Sequence, residues 1–281
     1  MIVDFHVHST ASDGTFAPKE IMDRARHVGF AAIALTDHDN CDGVEEFRSS
    51  GGIAGVELSI DPGKGFDKFH LLGLGINPNC PLLTAFLARV LEKRNERNER
   101  ILENFRRLGF EMASTIADYA HGDVLARPHF ARWLMDRGHV RSISEAFALY
   151  LADDAPKETR CYEERWRPDQ EEAIRVIHEA GGLAIMAHPR YWRSTWKVEG
   201  VEPEVAARGI AEVKEKGLDG VEALYQANTI EENILFTRLA ENVGLLKSAG
   251  SDFHGENKPT IPLGMTVPDR FIAPLLERLS I

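Results

Sequence analysis

Imidazole and carboxyl groups recur along this chain in a pattern that suits metal chemistry. His6 and His8 stand one residue apart near the start, followed by Asp13, His38, Glu57 and His70, and far downstream by His188, Asp252 and His254. Nitrogen and oxygen donors dispersed in this way are the pattern of a multinuclear metal site. Such a site converts bound water into a nucleophile near neutral pH. A gap of one residue on a strand points His6 and His8 to the same side, so the two can share one ion. A carboxylate such as Glu57 can bridge two cations, which a neutral imidazole cannot. With no thiolate in the set, manganese, iron or zinc would fit.

A single histidine at a strand end is ordinarily a hydrogen-bonded residue with no ligand role. The set is informative because its members fall at successive strand ends. His27, His121, His139 and His178 lie in or beside helical sequence and are assigned no role. Asp4, Asp37 and Asp39 either orient ligand imidazoles or cap turns; the sequence leaves both readings open.

Strands and helices must alternate to carry these groups to one place. Ile2 to His8 alternates as a strand, and a helix follows with Pro18 in its first turn and an apolar stripe through Ile21, Ala25 and Val28 before Gly29. Ala31–Thr36, Ile53–Leu58 and Phe69–Ile76 read as further strands. Later come helix 168–180, strand 183–187, helix 203–216, strand 219–224, helix 230–243 and strand 246–250. Most candidate ligands then sit at C-terminal strand ends, which converge on one mouth in an α/β barrel. About seven strand units favour a mostly parallel, closed or nearly closed barrel over an open sheet. No glycine-rich phosphate loop follows any strand, which weakens a dinucleotide-binding alternative.

Between about 82 and 151 the alternation stops. Helices are expected near 82–108, 114–121, 127–137 and 144–151, bounded by Asn77-Pro78-Asn79-Cys80-Pro81 and Ala155-Pro156. The division is therefore a barrel formed by 1–77 and 155–281, carrying a helical insertion over 78–154 that forms part of the substrate pocket.

The formal charge of −11 argues against a general nucleic-acid coat or a membrane-surface protein, though it leaves room for a local cationic pocket. Three cysteines without CxxC spacing, no signal-peptide pattern and no apolar run of about 20 residues lead us to expect reduced thiols in a cytoplasmic protein with no membrane partner. Oligomeric state is not legible.

His6-x-His8, Thr36-Asp37-His38-Asp39, Gly55-Val56-Glu57, His188-Pro189 and Gly250-Ser251-Asp252-Phe253-His254 resemble, in order, the motifs of the PHP (polymerase and histidinol phosphatase) superfamily. Ala126-Arg127-Pro128-His129-Phe130-Ala131-Arg132 is similar to the insert of a branch that includes 3′,5′-nucleoside bisphosphate phosphatases, an RNA 5′-to-3′ exonuclease and cyclic phosphodiesterases. The resemblance implies a distorted (β/α)7 TIM-like barrel holding two or three divalent ions, manganese first, with zinc or iron next. It groups His6, His8, Glu57 and Asp252 at one ion, Glu57, His70 and His188 at a second, and Asp13, His38 and His254 at a third. Arg190 departs from the pattern, where many relatives have glycine.

The expected activity is hydrolysis of a small organic phosphate monoester by metal-activated hydroxide, with a 3′,5′-nucleoside bisphosphate as the specific expectation. Asp13 and His254 would serve catalysis. Arg127 and Arg190 would grip phosphate through planar guanidinium forks, and His129 would contact phosphate or protonate the leaving oxygen. The alternatives are a cyclic phosphodiesterase, an exoribonuclease on short RNA, or a non-catalytic metal-binding interaction module. The run from Glu92 to Arg100 reads as a solvated helix face, because its charges alternate in sign. Tyr191, Trp192, Arg193 and Trp196 form either an aromatic lid for a base or an anchored loop.

Overall fold

The structure is a computed structural model and describes residues 1–63, 68–119, 124–191 and 203–281. Its strands are β1 (Ile2–Asp4), β2 (Ala32–Leu35), β3 (Ile53–Ile60), β4 (Phe69–Leu74), β5 (Leu183–Ala187), β6 (Gly220–Tyr225), β7 (Leu246–Gly250) and β8 (Met265–Thr266). They join in the order β7-β6-β5-β4-β3-β2-β1-β8. The Phe5 amide donates to the Ala249 carbonyl at 2.9 Å, and Val7 bridges Phe253. These links bring β7 back to the chain just beyond β1 and nearly close the barrel.

One expectation needs correction. The sheet is parallel from β1 to β3 and from β5 to β7, but β4 runs antiparallel to both β3 and β5, and β8 antiparallel to β1. A parallel return needs a crossover of a dozen or more residues. Ile60 and Phe69 are too close in sequence for one, so β4 must come back antiparallel. Strand β1 is also shorter than expected, ending at Asp4, while β3 runs on past Glu57 to Ile60.

The helices flanking the barrel are α1 (Pro18–Val28), α2 (Val44–Ser49), α6 (Gln170–Glu179), α7 (Pro203–Glu215), α8 (Ile230–Val243) and α9 (Asp269–Arg278). The second and last of these have no counterpart in the sequence reading. Helix α1 starts at Pro18 and stops at Gly29, whose φ of 84° is the left-handed conformation that ends a helix. Helix α8 is bounded by a Thr229–Glu232 capping box and by Gly244. Ile272 and Leu275 of α9 join Val3, Phe5, Leu72 and Ile185 in one buried cluster, beside the N-terminal end of β1.

Three further helices fill the stretch between β4 and β5: α3 (Pro81–Arg107), α4 (Arg127–Asp136) and α5 (Ile143–Ala146), the last running on into a wider π-type turn over Phe147–Leu151. Near 114–121 only a short 3-10 turn, Ile116–Tyr119, forms among the described residues. Helix α3 serves two cores. Leu83, Phe86 and Val90 pack into the barrel's outer layer, whereas Ile101 and Phe105 pack with Phe130, Trp133, Leu134 and Cys161 in a separate cluster. All three cysteines are free thiols. Among the described residues no helix is long and apolar enough to cross a membrane.

Candidate active site

Glu57 lies midway along β3, fully buried, with five imidazoles around its two oxygens. Oε1 is 2.7 Å from His70 Nδ1, 3.1 Å from His188 Nε2 and 3.2 Å from His6 Nε2. Oε2 is 2.9 Å from His38 Nδ1 and 3.2 Å from His8 Nε2. Asp252 Oδ1 completes one flank, 3.4 Å from His8 Nε2. Asp13 completes the other, with Oδ1 3.3 Å from His254 Nε2. The antiparallel return explains His70: it stands at the start of β4, and reversal puts that end at the same mouth as the C-terminal ends of β2, β5 and β7.

All nine candidate ligands are therefore brought together. Their donor atoms fall within 4.8 Å of one another in four overlapping groups: His8, Asp13, His38 and His254; His6, Glu57 and His188; His6, His8 and Asp252; His38, Glu57 and His70. Asp13, His38 and His254, which the resemblance groups together, lie in one of these sets, and His8 joins them. His70 and His188 instead meet Glu57 in separate groups.

The donor set fits cations. His6 Nε2, both ring nitrogens of His8, His38 Nδ1 and Glu57 Oε2 are buried without a hydrogen-bond partner, although each lies close to oppositely disposed ligand atoms. Orphaned buried polar atoms are costly, and a cation meeting their lone pairs removes that cost. Charge is arranged to match. Burial would raise the carboxyl pKa values of Glu57, Asp13 and Asp252, yet His38 and His6 around Glu57, and His254 beside the other two, outweigh it and hold all three well down. Burial would also strip His8 of its proton, but Asp252 and Glu57 outweigh it and hold the pKa up at about 9. For His70 burial prevails and lowers it to about 4. His188 and Asp252 both adopt positive φ, 25° and 60°, the backbone strain that accumulates at functional sites.

The three neighbouring aspartates have other tasks. Asp4 accepts the amides of His6, Ser251 and Gly264. Asp37 holds Ser9 and Ser12. Asp39 pairs with Arg94 and with Arg165 at 2.7 Å. None of the three hydrogen-bonds a ligand imidazole, so they tie segments together. Residues absent from the sequence reading do touch ligands, and Ser59 Oγ lies 3.2 Å from His70 Nε2. Glu222 Oε1 is 3.0 Å from His6 Nδ1, and Asp252 Oδ2 accepts from Tyr225 at 2.9 Å and from Lys258 at 2.6 Å.

Beside Asp13, His38 and His70 opens a cavity of about 180 Å³ lined by Arg94, Arg97, Arg127, Arg165 and Arg167. This corrects the reading of the run 92–100. Arg94, Arg97 and Asn98 are buried and share the face of α3 that carries Leu83, Phe86, Val90 and Ile101; only the intervening residues form a solvated face. Asp39 balances Arg94 and Arg165, and Glu164 pairs with Arg167 at 2.5 Å. Among the described residues, Arg97 and Arg127 have no carboxylate at ion-pair distance. Burial, with four guanidiniums around it, pushes the Arg97 pKa down. Arg127 is held by the Leu151 carbonyl at 3.1 Å and lies over the rings of Phe147 and Tyr162.

The remaining candidates are placed differently. His129 is buried, and its Nδ1 accepts the Ala126 amide at 3.0 Å, closing the first turn of α4. Arg190 pairs with Glu232 at 3.4 Å and lines neither this cavity nor a second one of about 320 Å³, which shares His38 and His70 and reaches Phe69, Tyr191 and Lys258. Tyr191 packs against His188 and Tyr225; Trp192, Arg193 and Trp196 lie outside the described residues, as does His121. His27, His139 and His178 stand away from the cluster, His178 pairing with Asp219.

The PHP domain family model matches residues 4–114. A 3′,5′-nucleoside bisphosphate phosphatase of Chromobacterium violaceum is 32% identical over 94% of this chain and 91% of its own length. The 5′-3′ exoribonuclease Rnm of Escherichia coli is also 32% identical, over 94% of this chain and 88% of its own length. A phosphoribosyl 1,2-cyclic phosphate 1,2-diphosphodiesterase of Eggerthella lenta is 27% identical over 95% of this chain and its full length. Among solved structures, a C. violaceum chain described as an amidohydrolase with bound sulfate and no metal superposes with a TM-score of 0.83 at 30% identity, covering 99% of this chain and 95% of that one. A metal-dependent phosphoesterase, so described, from Bifidobacterium adolescentis gives 0.81 at 25% identity, covering 98% and 96%.

Proposed function

This chain belongs to the PHP family of metal-dependent phosphoesterases, and on that premise we propose that its substrate is a small organic phosphate monoester carrying a second phosphate, a 3′,5′-nucleoside bisphosphate. The observation that carries this reading is the arginine-lined cavity joined to the ligand cluster. Among the described residues two of its five guanidiniums lack a carboxylate partner, so the cavity holds positive charge that a phosphate would offset. Its volume of about 180 Å³ is below the roughly 300–1,000 Å³ of pockets for drug-sized ligands, so it would take one phosphate group of the substrate, with the rest of the nucleotide outside it.

In this reading His6, His8, Asp13, His38, Glu57, His70, His188, Asp252 and His254 hold two or three divalent ions. The nitrogen and oxygen donors suit manganese, zinc or iron, and manganese is our first choice on the family resemblance. Bound there, such ions lower the pKa of water and offset charge on the phosphoryl oxygens. The chain's own groups supply the rest. Asp13, the carboxylate at the boundary of cluster and cavity, orients the attacking water, with His254 fixing its Oδ1. Arg127 grips the phosphate, and His129 supports it by fixing the turn from which it projects. The helical segment 78–154 supplies Arg94, Arg97 and Arg127 and thereby sets substrate size.

The test compares phosphate release from four substrates by metal-stripped protein reconstituted with manganese. They are a 3′,5′-bisphosphate, the matching monophosphate, a cyclic phosphodiester and a short 5′-phosphorylated RNA. We expect the bisphosphate to exceed the monophosphate in kcat/KM roughly tenfold or more, from one charge-assisted contact worth about 1.5–3 kcal/mol. Equal rates on the two would remove the second phosphate from the reading. Stepwise shortening of the RNA as the fastest reaction would replace it with exoribonuclease activity.

A further inference from the structure

Glu222 is an acid on β6 with 0% exposure, between two apolar neighbours, and no lysine or arginine pairs with it among the described residues. Its carboxylate instead spans two ligand-bearing segments. Oε1 lies 3.0 Å from His6 Nδ1, and Oε2 accepts the main-chain amide of His188 at 2.6 Å. The far nitrogens of these two histidines converge on a single atom: His6 Nε2 at 3.2 Å and His188 Nε2 at 3.1 Å from Glu57 Oε1. The surroundings are built around this carboxylate. A Cβ on Gly250 would fall 2.2 Å from Glu222 Oε1 and 2.4 Å from the His6 Cβ, so only glycine lets β7 pass. His188 has a φ of 25°, a conformation that a non-glycine residue keeps only when its surroundings hold it.

We propose that Glu222 is a positioning residue for one half of the metal cluster. By accepting from Nδ1 it fixes the His6 tautomer whose Nε2 lone pair faces Glu57, and by holding the His188 amide it sets the ring of the second ligand. It contacts none of Asp13, His38 or His254, so its influence is selective: the ions bound through His6 and His188 depend on it, and the ion bound through the other flank does not. This rests on the metal-binding reading above.

Glutamine is the informative substitution. It matches glutamate in shape, but its single carbonyl oxygen can serve only one of the two donors and its amide meets the other. Manganese binding to the stripped protein would be followed by elemental analysis after equilibrium dialysis at graded metal concentrations, with circular dichroism to confirm folding. For Glu222→Gln we expect part of the bound manganese to weaken by about 10–100-fold while the remainder keeps the wild-type affinity. Glu222→Asp, which keeps both acceptors on a shorter arm, should recover part of the loss. An isotherm identical to wild type overturns the proposal, as does uniform weakening of every ion. A wild-type protein that binds no manganese would instead refute the metal-binding reading itself, so the two failures are distinct. If Glu222→Gln fails to fold, Glu222→Asp is followed by the same dialysis: weakening confined to part of the manganese supports the proposal, and uniform weakening or none overturns it.

Discussion

Arg97 and Arg127 do different work although both line one cavity. Arg127 is already braced by a carbonyl and two rings, so it presents a fixed fork. Arg97 is 4% exposed, has no acidic partner among the described residues, and has a buried Nε without a hydrogen bond. Arg127→Ala should raise KM about tenfold or more, the equivalent of a charge-assisted bond of about 1.5–3 kcal/mol; an unchanged KM would take it out of the pocket. Arg97→Met should do the same to KM and also stabilise the ligand-free protein, because it removes a buried charge that nothing balances. Urea unfolding with and without inorganic phosphate separates the two effects. Loss of stability in both conditions would show that Arg97 is balanced by something else. Asp13→Ala should abolish turnover while circular dichroism stays unchanged, and full activity in that variant would clear Asp13 of its role. Most of these positions were legible: seven of the nine candidate ligands from their types and strand-end placement, and Asp13 and His70 through the family resemblance. Arg97 was hidden by charges of alternating sign around it, although Leu83, Phe86, Val90, Arg94, Arg97 and Ile101 follow helical spacing and place both arginines on the apolar face. Glu222 could have been noticed as a lone acid in Val221-Glu222-Ala223, a strand otherwise apolar.

Among the elements, the decisive join is between the loop after β2 and helix α3. Asp39 sits in that loop with a φ of 53°, a left-handed conformation in which Asp and Asn are favoured. From there its Oδ2 reaches Arg94 on α3 and Arg165 beyond α5, both nearly buried. Those arginines hold the carboxyl pKa far below its ordinary value despite burial. One carboxylate thus fixes two walls of the cavity to the barrel. Asp39→Asn keeps the backbone preference and removes the charge, so it isolates the ion pairs from the turn. Breaking a buried pair by removing one partner costs about 3–5 kcal/mol. We expect urea unfolding to show a loss of that order, together with a raised KM as the two guanidiniums lose their fixed placement. A variant as stable as wild type would mean that the arginines find other partners. The element pattern was legible over most of the barrel, although helices α2 and α9 were missed. It failed at β4, where the short link forces an antiparallel return, and at Phe147–Leu151, where nothing in Phe-Ala-Leu-Tyr-Leu distinguishes a π-type turn from an ordinary helical one.

At the scale of the molecule, an acidic chain gathers five arginines around one cavity, beside a ligand cluster whose imidazoles can carry protons. His8 is the clearest case. Its pKa is about 9 in the ion-free fold against an ordinary value of 6.5. A group raised on folding contributes stability that is complete below the unfolded value and is lost as pH rises through the folded one. Ion-free protein should therefore lose this contribution between about pH 6.5 and 9. Metal binding moves in the opposite sense, because neutral imidazole is the ligand form and every ion that uses His8 must displace its proton. Manganese affinity should rise over the same interval. His70, lowered to about 4, is already neutral there and adds no dependence of its own. Thermal unfolding of stripped protein with and without excess manganese, scanned from pH 6.5 to 9, measures both trends at once. We expect the melting temperature of the stripped form to fall and the increment from manganese to grow. A manganese increment that stays flat or shrinks with pH would mean that protons do not compete with ions at this site, and that the convergence of imidazoles on Glu57 has another purpose.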